Sequence, residues 1–167
     1  MRRVLVTGGA GFIGSHFIRI LLAEEADAQV VNLDVLTYAG NLANLADVAS
    51  SPRYRFVRGD IRDMKVAQEL AADADWIVNF AAESHVDRST KARAGEFIDT
   101  NVYGAYVMLE ATRQVNRGAR FLQVGTDEVY GDVPFPEFPN EQAMLAPSSP
   151  YSAAKAGADH IALAFHR

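Results

Sequence analysis

Five residues late in this 167-residue chain have side chains that could do chemistry together. Thr126, Asp127 and Glu128 are consecutive, and Tyr151 and Lys155 follow, four positions apart. Residues four apart on a helix share a face, so a phenol that takes a proton from an alcohol and an ammonium that eases its ionisation can act as a pair in hydride chemistry. An unperturbed tyrosine, with a pKa of about 10, is a poor base at neutral pH, and a neighbouring positive charge lowers that value. The two acids add a proton donor and a proton acceptor, which plain alcohol oxidation does not need. Carboxyl groups sharing a site of low polarity titrate apart, one staying protonated and the other ionised. Oxidation coupled to elimination uses all of these groups, with Thr126 bonding a substrate hydroxyl. By composition alone, a solvated acidic loop and a tyrosine packed beside a solvated lysine explain the same residues better, so the surrounding elements have to decide.

Those elements alternate. Short apolar strands are predicted at Val4 to Val6, Val30 to Leu33, Tyr54 to Val57, Trp76 to Phe80 and Phe121 to Val124. Helical patterns lie between them, which is the signature of an α/β fold, a Rossmann-type doubly wound parallel sheet with crossover helices. Phe12 to Ala23 is the first helix, with Phe12, Ile13, Phe17, Ile20 and Leu21 at helical spacing. Asp63 to Ala71 is the second. Phe97 to Val115 reads as a helix apolar nearly all round, a pattern usually covered on two sides. The fifth strand delivers Thr126 to its carboxyl end, where ligands gather in open α/β sheets. Pro134 to Pro147 is a loop, after which Ser149 is an N-cap and Pro150 a first-turn proline for the helix that carries Tyr151 and Lys155.

Between the first strand and first helix runs Gly8-Gly9-Ala10-Gly11-Phe12-Ile13-Gly14, which satisfies both G-x-x-G-x-x-G and G-x-G-x-x-G. Glycines there permit a tight turn and close approach of backbone to a pyrophosphate, and the helix N-terminus favours the anion. Asp34, at the end of the second strand, stands about 20 residues beyond the last glycine, as the fingerprint requires. A carboxylate there accepts hydrogen bonds from both ribose hydroxyls and repels a 2′-phosphate, favouring NAD over NADP. Gly8, Gly11, Phe12, Ile13, Gly14 and Asp34 are therefore the expected cofactor site. Asp60 and Ile61, ending the third strand, read equally as residues flanking the adenine or as a capping acid and a core residue.

The remaining candidates are plainer. His85, with Asp87 and Arg88, borders the site or takes a capping or salt-bridged role. Asn101 bonds backbone as a structural polar residue or orders water near Tyr151. His16, His160 and His166 lack ligand-like spacing, so no metal site is expected. Trp76 is expected in the core. With 49% hydrophobic residues the chain is globular, and one domain is expected. The net charge of −5 argues against a broad nucleic-acid or anionic-membrane surface. No run of residues approaches a membrane span, and the first apolar run is too short for a signal peptide. The absence of cysteine rules out disulfides, thiolate metal sites and cysteine nucleophiles, and is compatible with a cytoplasmic location.

Together these segments resemble the extended short-chain dehydrogenase/reductases and, within them, the dTDP-glucose 4,6-dehydratases. The resemblance rests on Gly8 to Gly14, Leu36 to Leu42, Ala81 to Ser89, Thr126 to Gly131 and Pro147 to Ser152, and it covers essentially the whole chain. Ala-Glu-Ser-His-Val-Asp with Thr-Asp-Glu-Val-Tyr-Gly is the specific part; the glycine motif and Tyr-x-x-x-Lys are shared across the superfamily. It implies that Ala81 joins the cofactor site with Tyr151 and Lys155, and that Ser84, His85, Thr126 and Asn101 contact a nucleotide sugar, dTDP-glucose. It also implies roles. Tyr151 takes the C4 hydroxyl proton as hydride leaves for NAD⁺, Glu128 takes the C5 proton, Asp127 protonates the departing C6 hydroxyl, and hydride returns to C6. A homodimer through helices at about 97–115 and 150–166 is implied as well. Gly125 departs from the family, which usually has a small hydroxyl residue there. The family's sugar-nucleotide domain has no counterpart in these residues, so the chain is expected to be the N-terminal, NAD-binding part of a longer enzyme. An NAD-dependent sugar-nucleotide epimerase would share everything except the acid pair, and a non-catalytic NAD-binding module would need only the glycine loop and Asp34.

Overall fold

The computed structural model describes residues 2–84, 94–134, 136 and 138–166. They form two compact units, Met1–Ala81 with Val107–Val124, and Ala82–Tyr106 with Gly125–Arg167.

The first unit is a five-stranded parallel sheet of β1 (Arg2–Thr7), β2 (Ala28–Asp34), β3 (Tyr54–Arg58), β4 (Trp76–Asn79) and β5 (Arg120–Gln123), in the order β3-β2-β1-β4-β5. All five expected strands are present, with ends moved by one or two residues. Alternation along β1 puts Val4 and Val6 on one face, with Ile18 and Leu22 of α1 (Phe12–Glu24), and Leu5 on the other. There Leu5 packs with Ala67, Leu70 and Ala71 of α2 (Met64–Ala71) and with Val107, Met108 and Ala111. Helices therefore cover both faces, as a doubly wound sheet requires. Asp63 is the N-cap of α2 rather than its first residue, its carboxylate accepting from the amides of Lys65 and Val66.

The residues whose spacing predicted α1 differ in burial: Phe12 and Ile13 are 89% and 65% exposed and Ile20 is exposed too, while Phe17 and Leu21 are partly buried against the core. Gly14, Ser15, Ile18 and Leu22 are buried. A Cβ on Gly14 would lie 2.5 Å from the Gly8 carbonyl oxygen, so the helix start comes too near the loop for any large side chain to point that way. Trp76 is not core, against expectation. It opens β4 with its ring exposed beneath the Arg120 guanidinium, 5.0 Å from the ring centre, a cation–π arrangement.

Three polar residues stand in register at the carboxyl ends of β1, β4 and β5. The Thr7 hydroxyl donates to Asn79 Oδ1, and Asn79 Nδ2 donates to Gln123 Oε1 at 2.8 Å. Thr7 also accepts from the Ala81 amide, which fixes the chain leaving β4.

In the second unit, α3 (Ala94–Phe97) continues through a π-helical stretch, Ile98–Gly104, into α4 (Ala105–Val115). The long helix expected here thus exists, with a wider turn inside it. In this single chain Ile98, Tyr103, Tyr106 and Val115 are exposed. A 3-10 turn, Asp127–Tyr130, and α5 (Pro150–His166) complete the unit. The expected cap of α5 is present and reciprocal, the Ser149 hydroxyl accepting from the Ser152 amide and the Ser152 hydroxyl from the Ser149 amide, both at 3.0 Å.

Candidate active site

In the first unit, β1 and β4 are parallel neighbours whose following connections lead to opposite sides of the sheet, to β2 and to β5, and the segments leaving them come close together. Gly8 has φ +68°, and a Cβ there would lie 2.7 Å from both the amide nitrogen and the Cα of Ala81. Only glycine tolerates both conditions. The loop then enters α1 at Gly11, an N-cap with no side-chain bond, so the first-turn amides of the helix carry no side-chain cap. Uncapped amides at the end of a helix dipole form an anion cradle. Gly14 keeps the cradle close, because its missing side chain lets the helix sit against the Gly8 carbonyl.

Asp34 is buried at the end of β2. Its Oδ2 accepts from the Ala10 amide at 2.9 Å and its Oδ1 from the Leu36 amide at 2.8 Å. The second bond holds Leu36 at φ 60°, the only positive φ outside glycine among the described residues, a conformation that bulky side chains adopt only under constraint. Each carboxylate oxygen keeps a further lone pair, which suits a ribose diol. Ile61 is a buried core residue, and Asp60 is gripped by Arg62 at 2.6 Å. Burial pushes the Asp60 carboxyl up, and the Arg62 hydrogen bonds and charge outweigh it to leave the net value below the ordinary one.

In the second unit, Thr126 caps the 3-10 turn, its hydroxyl accepting from the Glu128 amide. That turn is packed on α5 and places three of the expected catalytic groups around a fourth. Burial raises the Tyr151 phenol above its ordinary value, the charge of Glu128 raises it further, a hydrogen bond with Thr126 lowers it, and the charge of Asp127 raises it. Thr126, Asp127, Glu128 and Tyr151 are therefore one electrostatic group. The edge of Phe97 packs on the tyrosine ring at 6.1 Å.

Tyr151 sits above its usual value, first because it is buried and then because Glu128 and Asp127 act on it, while Lys155 is only 5% exposed and feels the charge of Asp159. Burial pushes the Lys155 ammonium below its ordinary pKa, and Asp159 opposes that. Asp127 and Glu128 are both exposed.

Asn101, 3% exposed within the π-helical stretch, accepts from the Glu83 amide at 2.8 Å and donates to the Glu83 carbonyl at 3.0 Å. Of its two readings, the backbone-bonding one is realised, and it fixes the segment that leads into Ser84. His85, Asp87 and Arg88 lie outside the described residues. Asp159 was missed by the motif reading, although its position four residues after Lys155 was a usable signal. Among the described residues no group of three or more His, Asp or Glu is placed to hold a metal ion, and no helix is long and apolar enough to cross a membrane.

Comparison with known proteins agrees with this arrangement. The low-salt glycan biosynthesis protein Agl12 of Haloferax volcanii is 56% identical over 156 residues, 93% of this chain and 49% of the relative. The dTDP-glucose 4,6-dehydratase of Streptomyces niveus is 50% identical over 169 residues, 99% of this chain and 49% of that enzyme. The crystal structure of DesIV, the dTDP-glucose 4,6-dehydratase of Streptomyces venezuelae, with NAD and dTDP bound, superposes with a TM-score of 0.93 at 52% identity, covering 99% of this chain and 52% of that one. The chain spans about half the length of the curated relatives it matches. Residues 5–167 match the family described as GDP-mannose 4,6 dehydratase. A match that runs from the first strand to the last helix, joined to the glycine cradle and the Thr-Asp-Glu turn beside Tyr151, places the chain in the GDP-mannose 4,6-dehydratase family.

Proposed function

We propose that this chain is the NAD-binding and proton-transfer part of a dTDP-glucose 4,6-dehydratase, a hydro-lyase that converts dTDP-glucose to the 4-keto-6-deoxy sugar nucleotide and water. The observation that carries the reading is the Thr126–Asp127–Glu128 turn packed on the helix of Tyr151, with the charges of Glu128 and Asp127 acting on the half-buried phenol. An alcohol dehydrogenase or an NAD-binding module has no use for that acid pair. The glycine cradle, the uncapped first turn of α1 and the free lone pairs of Asp34 fit a dinucleotide with an unmodified ribose. The chemistry that NAD supplies when bound is that of a hydride sink and source.

The chain's own groups handle the protons. Tyr151 takes the proton of the C4 hydroxyl, and Thr126 shares the hydrogen bond at that oxygen. A ketone at C4 acidifies the C5 hydrogen, which Glu128 removes as general base. Asp127 gives its proton to the C6 oxygen, which leaves as water. Lys155 stands on the tyrosine's helix as the ammonium for the nicotinamide ribose, Ser84 and His85 belong to the substrate side, and Asn101 holds the backbone of Glu83 beside Ser84. The sugar-nucleotide domain lies in sequence beyond these residues, the location is cytoplasmic, and the molecule is a homodimer through helices at about 97–115 and 150–166. Support for the dimer comes from the exposed Ile98, Tyr103, Tyr106 and Leu163 on those helices.

Glu128→Gln in the full-length enzyme tests the reading. Incubated with dTDP-glucose, it should form the 4-keto-6-deoxy product at least ~100-fold more slowly, the scale of a lost general base. Exchange of the C5 proton should be lost while NAD binding is retained. An unchanged product yield would sink the mechanism.

A further inference from the structure

β2 offers the glycine loop two polar side chains, and only one of them bonds to it. Asn32 and Asp34 stand two apart on the strand and so share a face. Asp34 takes the Ala10 amide. Asn32 is wholly buried, and among the described residues its Oδ1 has no hydrogen-bond partner. A buried carboxamide oxygen without a donor costs stability and calls for a reason. Packing alone would be served better by an apolar residue, since the neighbours on this face include Val6, Val30 and Ile18.

The surroundings of that oxygen supply the reason. Asn32 Nδ2 donates to the Tyr54 hydroxyl at 3.0 Å, which fixes the carboxamide and commits Oδ1 to its other side. There the oxygen meets the loop. A Cβ on Gly9 would overlap Asn32 Oδ1 and lie 2.7 Å from its Cγ, so the carboxamide fills the place that a side chain at position 9 would need. Ile18 of α1 closes the same space, its Cδ1 2.5 Å from that point. The loop thus rests on β2 at two successive residues, by contact at Gly9 and by a hydrogen bond at Ala10.

We propose that Asn32 is a positioning residue for the glycine loop. Pinned by Tyr54, its carboxamide is the spacer that sets the height of Gly9 above the sheet, and with it the place of the loop that would face a pyrophosphate. A planar group held by one bond keeps a single orientation, whereas an aliphatic chain of similar size has a choice of rotamers and bulkier ends. For its purpose the inference rests on the reading of this loop as the NAD site.

The test is calorimetric titration of NAD, with thermal unfolding in cofactor-free buffer alongside. It uses full-length wild-type protein, Gly9→Ala, Asn32→Ala, the G9A/N32A double variant and Asn32→Leu. G9A should weaken NAD, and N32A, by removing Oδ1 and Cγ, opens the room that the new Cβ needs. The double variant should therefore bind NAD about 10-fold more tightly than G9A, a coupling within the range for residues in contact. N32L puts a methyl group where Oδ1 stands and should weaken NAD by about 10-fold, through the same displacement of the loop. A double variant that binds no better than G9A overturns the proposal, because a merely structural role gives losses that add. Wild-type affinity in N32L overturns it too, and decides alone if G9A does not fold. If wild-type protein does not bind NAD, the cofactor reading fails, and unfolding decides the spacer role: the midpoint lost in G9A should return in the double variant, and additive losses overturn it.

Discussion

Gly14→Ala is the smallest change that tests whether the loop is a cradle for an anion. The added Cβ would lie 2.5 Å from the Gly8 carbonyl oxygen and 2.9 Å from the Gly9 Cα. Both contacts are with backbone, so no flexible side chain can swing away. The nearer one is about 1 Å inside ordinary van der Waals separation, and helix and loop must part by a similar amount. Overpacking of this kind costs about 1–3 kcal/mol of stability. The larger consequence is geometric, because the amides of the first turn of α1 move away from the place where a pyrophosphate would sit. A hydrogen bond to a charged group is worth about 1.5–3 kcal/mol, so loss of even one weakens NAD by about 10- to 100-fold. Calorimetric titration of NAD into wild-type and G14A full-length protein, with thermal unfolding measured alongside, reads both effects. Wild-type affinity for NAD in G14A would refute the reasoning, because it would mean that the close approach of α1 to the loop does not serve the ligand.

Tyr151 gives a prediction in pH. Its folded-state pKa lies above the unfolded value of about 10, so its contribution to stability is fully present below pH 10 and is lost as pH rises through the folded value. Tyr151→Phe should therefore flatten the decline of the urea midpoint above pH 10, and equal declines in the two proteins would show that the phenol is not held protonated by its surroundings. The exposed Ile98 and Tyr103 give another. Full-length protein should sediment as a dimer and the Ile98→Glu, Tyr103→Glu double variant as a monomer; a wild-type monomer would remove the interface.

Much of this molecule was legible from local rules. The apolar run Val4, Leu5 and Val6 predicted a strand, and those residues divide between the two cores. The glycine spacing with Asp34 predicted a tight turn and a carboxylate near it, and Asp34 bonds the Ala10 amide within that loop. Ser149 and Pro150 predicted a helix start that is capped as expected. Such features depend on backbone conformation and near neighbours in sequence, which motif and spacing describe directly. Burial was less legible. On α1 the apolar spacing marked the helix, but approach of Gly14 to the Gly8 carbonyl sets its buried face, with Ser15, Ile18 and Leu22 along it. Trp76 was placed in the core by its type, and its position at the open end of β4 leaves it exposed.

For the catalytic residues, sequence by itself determined which groups exist and that Tyr151 and Lys155 share a face, since both follow from residue type and helical period. It did not determine the electric field that each one feels. That depends on distances between residues far apart in the chain: the Thr126 turn carries Glu128 and Asp127 to Tyr151, and the space left at Gly125 accommodates the carboxylate of Asp159 beside the turn. The acids of the turn act on Tyr151, and Asp159 acts on Lys155. Coulomb interactions depend on separation and burial rather than on order in the chain, so only the tertiary structure could decide which charge faces which.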